Sequence, residues 1–386
     1  MLAVTGLASY AAYNPRLGGG NDQTPDHGIL GFYLFTWPTD PVWLYRLNQG
    51  VHVTLGVVLV PVLLAKLWSV LPRLFVWPPV RSAAHALERL SLLLLVGGAI
   101  FEFVTGILNI QLYYVFPGSF YTVHFYGAWV FLGAFVVHVA LKLPRMTSAL
   151  RSRSLRAELR TDTAHTVPEE PDPDALVAAR PARATMSRRG ALALAGSGSV
   201  TLLVLTAGQS IGGPWRRTAL LAPRGQDPGT GPNGFQINKT ARAVGVTPDQ
   251  IGSDWRLRLI GPTGSMTLTR DQLLAMELQT HALPIACVEG WSTDDQWWTG
   301  VPLAALAALA GAPDASTVLV ESVQREGSFR TAVLARNQIH DARSLLALRV
   351  NGADLSADHG FPARTIVPAA PGVHNTKWVG ALTFRT

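Results

Sequence analysis

The chain has 386 residues, of which 48% are hydrophobic and only 15% are charged, and its formal net charge is +7. This balance is too apolar for an ordinary soluble protein and predicts membrane segments. The basic residues cluster between apolar runs, which disfavours a nucleic-acid-binding protein and favours a membrane protein of fixed orientation. The single cysteine excludes an intramolecular disulfide framework.

Apolar segments follow one another through the first half of the chain. Residues 1–13 are too few to cross a bilayer and are expected to be the second half of a transmembrane helix. Residues 14–48 are rich in glycine, proline and aromatic residues, which predicts an exposed loop with Trp37, Trp43 and Tyr45 as interfacial anchors. Full spans are predicted over residues 49–71, 90–114 and 121–143.

The loops after the first and third of these spans are basic, so both are predicted to be cytoplasmic. Residues 1–145 are therefore predicted to form a helical membrane domain. Residues 146–186 are charged and proline-rich, which predicts a flexible cytoplasmic linker.

A further apolar run follows Arg188 and Arg189, so residues 187–212 are predicted to carry one more span. The two arginines fit a positively charged cytoplasmic flank, and they also fit an internal twin-arginine signal read by the matching export machinery. The two interpretations are compatible. Together the segments predict a multi-pass protein of the cell membrane with four to five spans and its C-terminal part on the extracytoplasmic side.

Residues 213–386 have the composition of a soluble domain. Short strand-like runs alternate with turns and two helical stretches, which favours an α+β fold. The strands are predicted at 255–260, 317–321 and 346–350, and the helices at 270–276 and 302–310.

Four histidines lie in or beside the predicted spans, namely His52, His85, His124 and His138. His124 and His138 are 14 positions apart, so they share one helix face with a rise of roughly 21 Å. In the predicted topology His52 and His124 lie at a similar depth in the membrane near its outer side, and His85 and His138 lie at a similar depth near its inner side. A single membrane histidine is best explained by an interhelical hydrogen bond, whereas two depth-matched pairs favour the axial ligands of two haems.

The region 46–144 resembles bacterial membrane cytochromes b of the kind that serve formate dehydrogenases and hydrogenases. The resemblance is carried by Asn48-Gln49-Gly50-Val51-His52, Lys66-Leu67-Trp68, Glu88-Arg89-Leu90, Thr105-Gly106 and the His124/His138 pair. It implies two b haems and exchange of electrons with a quinone or quinol. Glu102 lies in the middle of a span, and the sequence leaves open whether it serves a proton or quinone site or an interhelical hydrogen bond.

Cys287 ends a short apolar run and is followed after two residues by Gly290 and Trp291. A lone cysteine is usually a small buried hydrophobe, although a strand-to-loop transition can also present a side chain to a pocket. A thiolate there would be a suitable ligand for a soft metal centre.

Residues 234–384 resemble the molybdopterin-binding core of the sulfite oxidase superfamily. The motifs, in order, are Gln236-Ile237-Asn238-Lys239-Thr240, Cys287, Val320-Glu321-Ser322, Asn351-Gly352, His359-Gly360-Phe361-Pro362-Ala363-Arg364, and Pro371-Gly372-Val373-His374-Asn375-Thr376-Lys377-Trp378. The resemblance implies that Cys287 is the catalytic ligand to molybdenum. It also implies a set of pterin contacts: Asn238, Ser322, His359, Arg364, Asn375, Thr376 and Lys377. His374 fits either a contact or a turn cap, and His359 is preferred as a contact.

The residues after Cys287 differ from those of sulfite oxidases, in which arginines hold the anion. Val288-Glu289-Gly290-Trp291-Ser292 is closer to the periplasmic methionine sulfoxide reductase branch. A neutral oxide such as a sulfoxide is therefore preferred to sulfite, with Arg325 or Arg330 left as possible anion contacts.

The sequence thus predicts an all-α transmembrane haem-binding bundle followed by an α+β molybdopterin oxidoreductase domain. The predicted activity moves electrons between the quinone pool and an extracytoplasmic molybdenum site, with oxygen-atom transfer to or from a small substrate. The alternative is a haem b electron-transfer protein whose C-terminal domain is a non-catalytic binding module.

Overall fold

The structure is a computed structural model, and it describes residues 1–17, 33–75, 82–110, 120–152, 154–166, 183–222, 224 and 227–386. Within these ranges the chain divides into two compact units. The first contains Met1–Thr54, Leu108–Thr122 and Val204–Thr386, and the second contains Leu55–Ile107 and Val123–Leu203. The start of the chain thus belongs to the same unit as the C-terminal domain. The predicted domain boundaries at 145, 186 and 212 stay predictions.

Helices dominate the first 211 residues, as predicted. The helices are α1 (Leu2–Ala12), α2 (Leu44–Val58), α3 (Val60–Leu74), α4 (Ala83–Ile110), α5 (Phe120–Ser152), α6 (Leu155–Arg160), α7 (Arg188–Thr206) and α8 (Gly208–Ile211). Among the described residues, three helical stretches are long and apolar enough to cross a membrane: His85–Ile110, Tyr121–Pro144 and Arg188–Ile211. The end of the predicted span 90–114 lies outside the described residues.

The first predicted span, 49–71, is not one straight helix. It is divided between α2 and α3, which meet at an angle of 41°. Pro61 lies at the second position of α3. A proline has no N–H to donate and its ring clashes with the carbonyl one turn earlier, which bends a helix at this place. The bent pair is a fourth candidate span if it counts as one.

The beginning of the predicted linker, 146–186, is helical. Helix α5 continues to Ser152, and α6 follows after Ser154, whose side chain accepts a hydrogen bond from the backbone N–H of Ala157. This cap and the good helix formers after it explain the extra turns. Residues 167–182 of the linker lie outside the described residues.

The C-terminal domain has an α+β fold, which confirms the prediction. Its short helices are α9 (Pro248–Ile251), α10 (Arg270–Leu274), α11 (Leu303–Leu309) and α12 (Arg336–Ile339). Its strands are β1 (Leu257–Gly261), β2 (Gly264–Leu268), β3 (Gln279–Leu283), β4 (Gln296–Pro302), β5 (Thr317–Ser322), β6 (Thr331–Ala335), β7 (Leu345–Val350), β8 (Ala353–Asp354), β9 (Arg364–Ile366) and β10 (Val379–Arg385).

In the described part of the chain these strands form two sheets. One has the order β2-β1-β10-β5-β6, and the other has the order β3-β4-β7-β8 with β9 paired to β7. All pairs are antiparallel except β1 with β10. Strand β7 is an almost continuous apolar run because both of its faces are buried. Leu259 of β1, Val301 of β4 and Leu348 of β7 belong to one core, which joins the two sheets.

The N-terminal segment packs directly on this domain, which corrects the prediction of an exposed loop over 14–48. Trp37 is buried and its indole N–H donates to the carbonyl of Ala369 at 2.7 Å. The Asn14 amide donates to the Gln338 side chain at 2.9 Å. Tyr45 is also fully buried, so Trp37 and Tyr45 are core residues, whereas Trp43 remains half exposed. Residues 18–32 of this segment lie outside the described residues.

Candidate functional site

Cys287 lies in a tight turn that follows β3. Its backbone N–H donates to the carbonyl of Trp291 at 2.9 Å, and the N–H of Gly290 donates back to the carbonyl of Cys287 at 3.1 Å. Gly290 has φ +93°, a left-handed conformation that a residue with a side chain rarely adopts. The turn holds the Cys287 side chain in a buried cluster with Tyr13, Trp37 and Tyr45.

The surroundings of Cys287 are electrostatically unfavourable for a bare thiolate. Burial, and then the nearby carboxyl of Glu289, raise the pKa of the Cys287 thiol well above its ordinary value. A metal bound at the sulfur would reverse this preference, because a coordinated thiol loses its proton. The site is therefore suited to a cysteine that is ionised only when it is ligated.

Glu289 is a buried acid that the sequence analysis did not count among the site residues. Its carboxylate forms an ion pair with Arg224 at 3.2 Å and accepts a hydrogen bond from the Trp291 indole at 2.7 Å. Burial nevertheless raises its pKa, with Arg224 opposing the shift. If Cys287 binds the metal as predicted, a carboxyl two residues away can hold or release a proton beside it. The position of Glu289 two residues after Cys287 in the sequence was the feature from which it could have been predicted as a site residue.

Two cations from the closing motifs are buried, and both donate to backbone carbonyls. The Arg364 guanidinium donates to the carbonyls of His359 and Asn375, both at 3.0 Å. The Lys377 ammonium donates to the carbonyls of Lys239 and Asp358 at 2.9 and 2.7 Å. The glycine at 360 permits this approach, because a Cβ there would lie 3.1 to 3.2 Å from the Cβ atoms of Lys377 and Arg364.

These cations form no ion pair with a carboxylate in the part of the chain that the structure describes. Burial consequently lowers the pKa of Arg364 to about 9 and lowers that of Lys377 well below its ordinary value. The Nε atom of Arg364 is buried, and none of the described residues forms a hydrogen bond with it. Uncompensated buried charge is costly, so an anion such as a phosphate group is the partner that fits this arrangement.

The other predicted pterin contacts are brought to the same place. Ser322 donates to the carbonyl of Lys377 at 2.8 Å, and Asn375 accepts from the N–H of Val367 at 2.8 Å. The side chain of Asn238 accepts a hydrogen bond from the backbone N–H of Lys239 at 2.9 Å. The buried hydroxyl of Thr376 has no hydrogen-bond partner within the described ranges, so it is a second unsatisfied group that a bound cofactor would satisfy.

The two histidines of the closing motifs differ in their hydrogen bonding, and the preference for His359 as a cofactor contact stays a prediction. Both ring nitrogens of His359 are engaged, with Ser356 at 2.8 Å and with the carbonyl of Phe235 at 3.1 Å. Both ring nitrogens of His374 are buried and have no hydrogen-bond partner among the described residues. His359 is thus held by the protein, and His374 is available to a ligand.

Acid is expected to destabilise this domain through His359 and His374. Burial lowers the pKa of each imidazole from 6.5 to about 4. Because the folded state disfavours the proton, the stabilisation is complete above pH 6.5 and is lost as the pH falls towards 4. The slope is about 1.4 kcal/mol per pH unit for each histidine.

The measurement is the thermal unfolding midpoint of the full chain in detergent at pH 7 and pH 5. His359→Gln should reduce the drop in the unfolding midpoint between the two pH values, whereas His281→Gln, at a part-buried histidine on β3, serves as the control. An equal drop in both variants would contradict this origin of the acid sensitivity.

In the second unit, His124 is held between two side chains of α4. Its Nδ1 atom lies 2.8 Å from the Thr105 hydroxyl, and its Nε2 atom lies 3.3 Å from a Glu102 carboxylate oxygen. Glu102 therefore makes the interhelical contact that was one of its two predicted roles. Binding of iron at His124 would require one of these two contacts to open.

The remaining predicted haem ligands have separate surroundings. His52, in the first unit, places Nδ1 3.0 Å from the Thr5 hydroxyl of α1. His138, in the second unit, has a buried Nδ1 with no hydrogen-bond partner among the described residues. The backbone of His85 is capped by Ser82 at 3.1 Å. Since His52 and His124 belong to different units, their pairing stays a prediction, as does that of His85 with His138.

Comparison with known proteins identifies the C-terminal part of the chain. Residues 244–386 match the model of the oxidoreductase molybdopterin binding domain. Over 131 residues the chain is 30% identical to an uncharacterized oxidoreductase, YuiH, of Bacillus subtilis, with 34% of this chain and 65% of that protein covered. Over 52 residues it is 44% identical to human mitochondrial sulfite oxidase, with 14% of this chain and 10% of that enzyme covered.

A third relative is a putative protein-methionine-sulfoxide reductase subunit, YedZ1, of Azospira oryzae. It is 31% identical over 115 residues, with 30% of this chain and 42% of that protein covered. The chain therefore spans less than two thirds of each of these three relatives. The matches show that this chain contains a sulfite-oxidase-like molybdopterin oxidoreductase domain.

Proposed function

We propose that the chain is a membrane-bound molybdopterin-dependent oxidoreductase. In this proposal it exchanges electrons between the quinone pool and an extracytoplasmic molybdenum site through two b haems. The site transfers an oxygen atom to or from a small substrate, and a neutral oxide of the sulfoxide type is preferred to sulfite. The similarity to the Azospira protein, a putative protein-methionine-sulfoxide reductase subunit, supports this substrate class.

The observation that carries the proposal is the pair of buried cations Arg364 and Lys377. Arg364 is 2% exposed and Lys377 is 7% exposed, and neither forms an ion pair with a carboxylate within the described ranges. Lys377 also lies within electrostatic range of Cys287. A cofactor that carries both a phosphate and a thiolate-bound metal would account for the buried cations and for the buried cysteine.

The bound molybdenum cofactor would supply the two-electron chemistry. In the reductive direction a sulfoxide and a quinol give a sulfide, a quinone and one water, so two electrons and two protons pass from the quinol to the oxide. Cys287 would hold the metal, Arg364 and Lys377 would hold the phosphate, and Glu289 would hold a proton close to the reacting oxygen.

The side chains around Cys287 support a neutral substrate. Val288 and Trp291 line the turn, and the nearby Arg224 is already paired with Glu289. Arg325 and Arg330, the possible anion contacts, are both exposed. A dianion such as sulfite would therefore meet an apolar and aromatic surface in place of free arginines.

The membrane part of the proposal depends on the helices and their histidines. Gln49 and Tyr121, the first residues of the first and third predicted spans, belong to the same compact unit as the oxidoreductase domain. This grouping supports a common, extracytoplasmic side for these helix ends and the domain. The Nδ1 of His138 is buried and has no hydrogen-bond partner in the described part of the chain, which supports a haem toward the inner end of the third predicted span.

The proposal is tested by the molybdenum and haem content of the detergent-purified chain made in a molybdenum-replete host. We expect about one molybdenum per chain, because one cysteine is the proposed ligand, and about two b haems, because two pairs of histidines are the proposed axial ligands. His138→Ala should remove one haem and leave molybdenum unchanged. His165→Ala, at an exposed histidine beyond α6, is the matched control.

Haem without molybdenum would contradict the enzymatic proposal and favour the electron-transfer protein with a binding module. Molybdenum without haem would contradict the proposed electron path and leave the oxidoreductase domain in place. Equal haem content in His138→Ala and in the parent chain would exclude His138 as a ligand.

A further inference from the structure

His374 is a buried polar group that the proposed set of cofactor contacts does not use. It closes the short helical turn Gly372–His374 and is 1% exposed. Neither of its ring nitrogens has a hydrogen-bond partner among the described residues. Buried side-chain nitrogens are almost always paired, so an unpaired imidazole in a candidate active site indicates a missing ligand.

The backbone that leads to His374 runs against the metal-ligand turn. The N–H of Gly372 donates to the carbonyl of Ala286 at 2.7 Å, and Ala286 also forms an isolated bridge with Pro371. A Cβ placed on Gly372 would lie 3.4 Å from the Cα atom of Cys287. His374 is therefore fixed two residues from the point at which the two chain segments touch.

Aromatic residues form the wall next to His374. The ring of Tyr13 meets the imidazole edge-on, with centroids 5.8 Å apart. Tyr121 lies 5.3 Å from Tyr13 and 5.7 Å from Phe329, again between ring centroids. Phe329 has φ 59°, a strained conformation of the kind that is retained at functional sites.

The wall residues come from separate segments of the chain, and all of them are uncharged. Tyr13 follows α1 and Tyr121 lies in the first turn of α5, so two of its three rings come from the helical N-terminal part of the chain. Tyr13, Tyr121 and Phe329 carry no charge at neutral pH, and the buried cations Arg364 and Lys377 are directed at backbone carbonyls. The group that approaches His374 should accordingly be polar and uncharged.

We infer that His374 is a substrate-contact residue whose imidazole hydrogen-bonds the oxide oxygen of a small neutral substrate, beside a wall formed by Tyr13, Tyr121 and Phe329. This inference rests on the proposed function. Burial lowers the pKa of His374 to about 4, so the ring is neutral at pH 7 and offers one donor and one acceptor. An uncharged donor suits an oxide better than it suits an anion.

The test compares His374→Leu and His374→Gln in the full chain, with dimethyl sulfoxide as the probe. The leucine variant removes both ring nitrogens, and the glutamine variant restores a donor and an acceptor. We expect His374→Leu to keep one molybdenum per chain while the dissociation constant and KM for dimethyl sulfoxide rise at least about tenfold. The molybdenum(V) resonance signal should change on addition of dimethyl sulfoxide in the parent chain and in His374→Gln, but not in His374→Leu. His281→Leu is the control on β3.

Unchanged affinity and an unchanged resonance response in His374→Leu would overturn the inference while the proposed function stands. Loss of molybdenum from His374→Leu, together with normal affinity in His374→Gln, would also overturn it, because His374 would then hold the cofactor or the fold. A parent chain without molybdenum would overturn the proposed function and this inference with it.

Discussion

Replacing Cys287 by serine is expected to abolish oxygen-atom transfer. The hydroxyl of serine is a harder and far less acidic ligand than a thiol, and burial at this position disfavours its ionisation further. Loss of an outer-shell partner typically costs ten- to a hundredfold in activity or metal affinity, so loss of the ligand itself should cost more than about a hundredfold. The change is followed by molybdenum content, by the molybdenum(V) resonance signal and by turnover of dimethyl sulfoxide.

Val288→Ala is the matched control, because it lies in the same turn and is also buried but offers no ligand. It should retain the metal and its signal. Since Cys287 is the only cysteine in the chain, thiol labelling provides an independent readout: the metal-free protein should react after unfolding, with one label per chain. A serine variant with the parent signal and turnover would exclude Cys287 as the ligand.

Arg364→Met is expected to weaken cofactor retention by about tenfold to a hundredfold, since a hydrogen bond to a charged group contributes about 1.5–3 kcal/mol. The guanidinium is buried with no carboxylate near enough for an ion pair in the described chain, so the phosphate is the only counter-charge it is proposed to have. The measurement is molybdopterin and molybdenum remaining after prolonged dialysis.

Arg349→Met removes an arginine of the same domain that is exposed and paired with Asp354 at 3.3 Å, and it should retain the cofactor. Addition of the cofactor should raise the unfolding temperature of the parent chain more than that of Arg364→Met. Identical dialysis losses in the two variants would show that Arg364 serves the fold and not the phosphate.

The order of short motifs predicted residues that the fold brings into contact, and their roles at a cofactor site stay a prediction. Lys377 contacts the backbone of Lys239, and Arg364 contacts that of His359, as expected if the motifs form a single cofactor site. Such motifs are short segments in which glycines, cationic residues and a metal-binding residue occur at fixed spacings, so they can be read from the sequence. The α+β fold followed from alternating short strands, such as β1, which buries every second residue at its start.

Other features depended on contacts that no local pattern contains. Trp37 and Tyr45 have the composition of interfacial anchors, and only tertiary packing shows that they are core residues. The unpaired state of His374 is a property of its neighbours, which come from distant segments. The bend in the first span could have been found, because Pro61 stands inside the apolar run.

The contact between the N-terminal segment and the C-terminal domain also determines the order in which the protein can be completed. Trp37 and Ala369 are separated by 332 positions, and Asn14 and Gln338 by 324. A ribosome that adds about 5–20 residues per second needs roughly 15–60 s to make the second partner after the first. Closing so long a loop also costs conformational entropy, so this docking is a late step in folding. The packing of Tyr13, Trp37 and Tyr45 around Cys287 is therefore expected to be completed only after Gln338 and Ala369 have been synthesised, and the proposed cofactor would have that interval in which to enter.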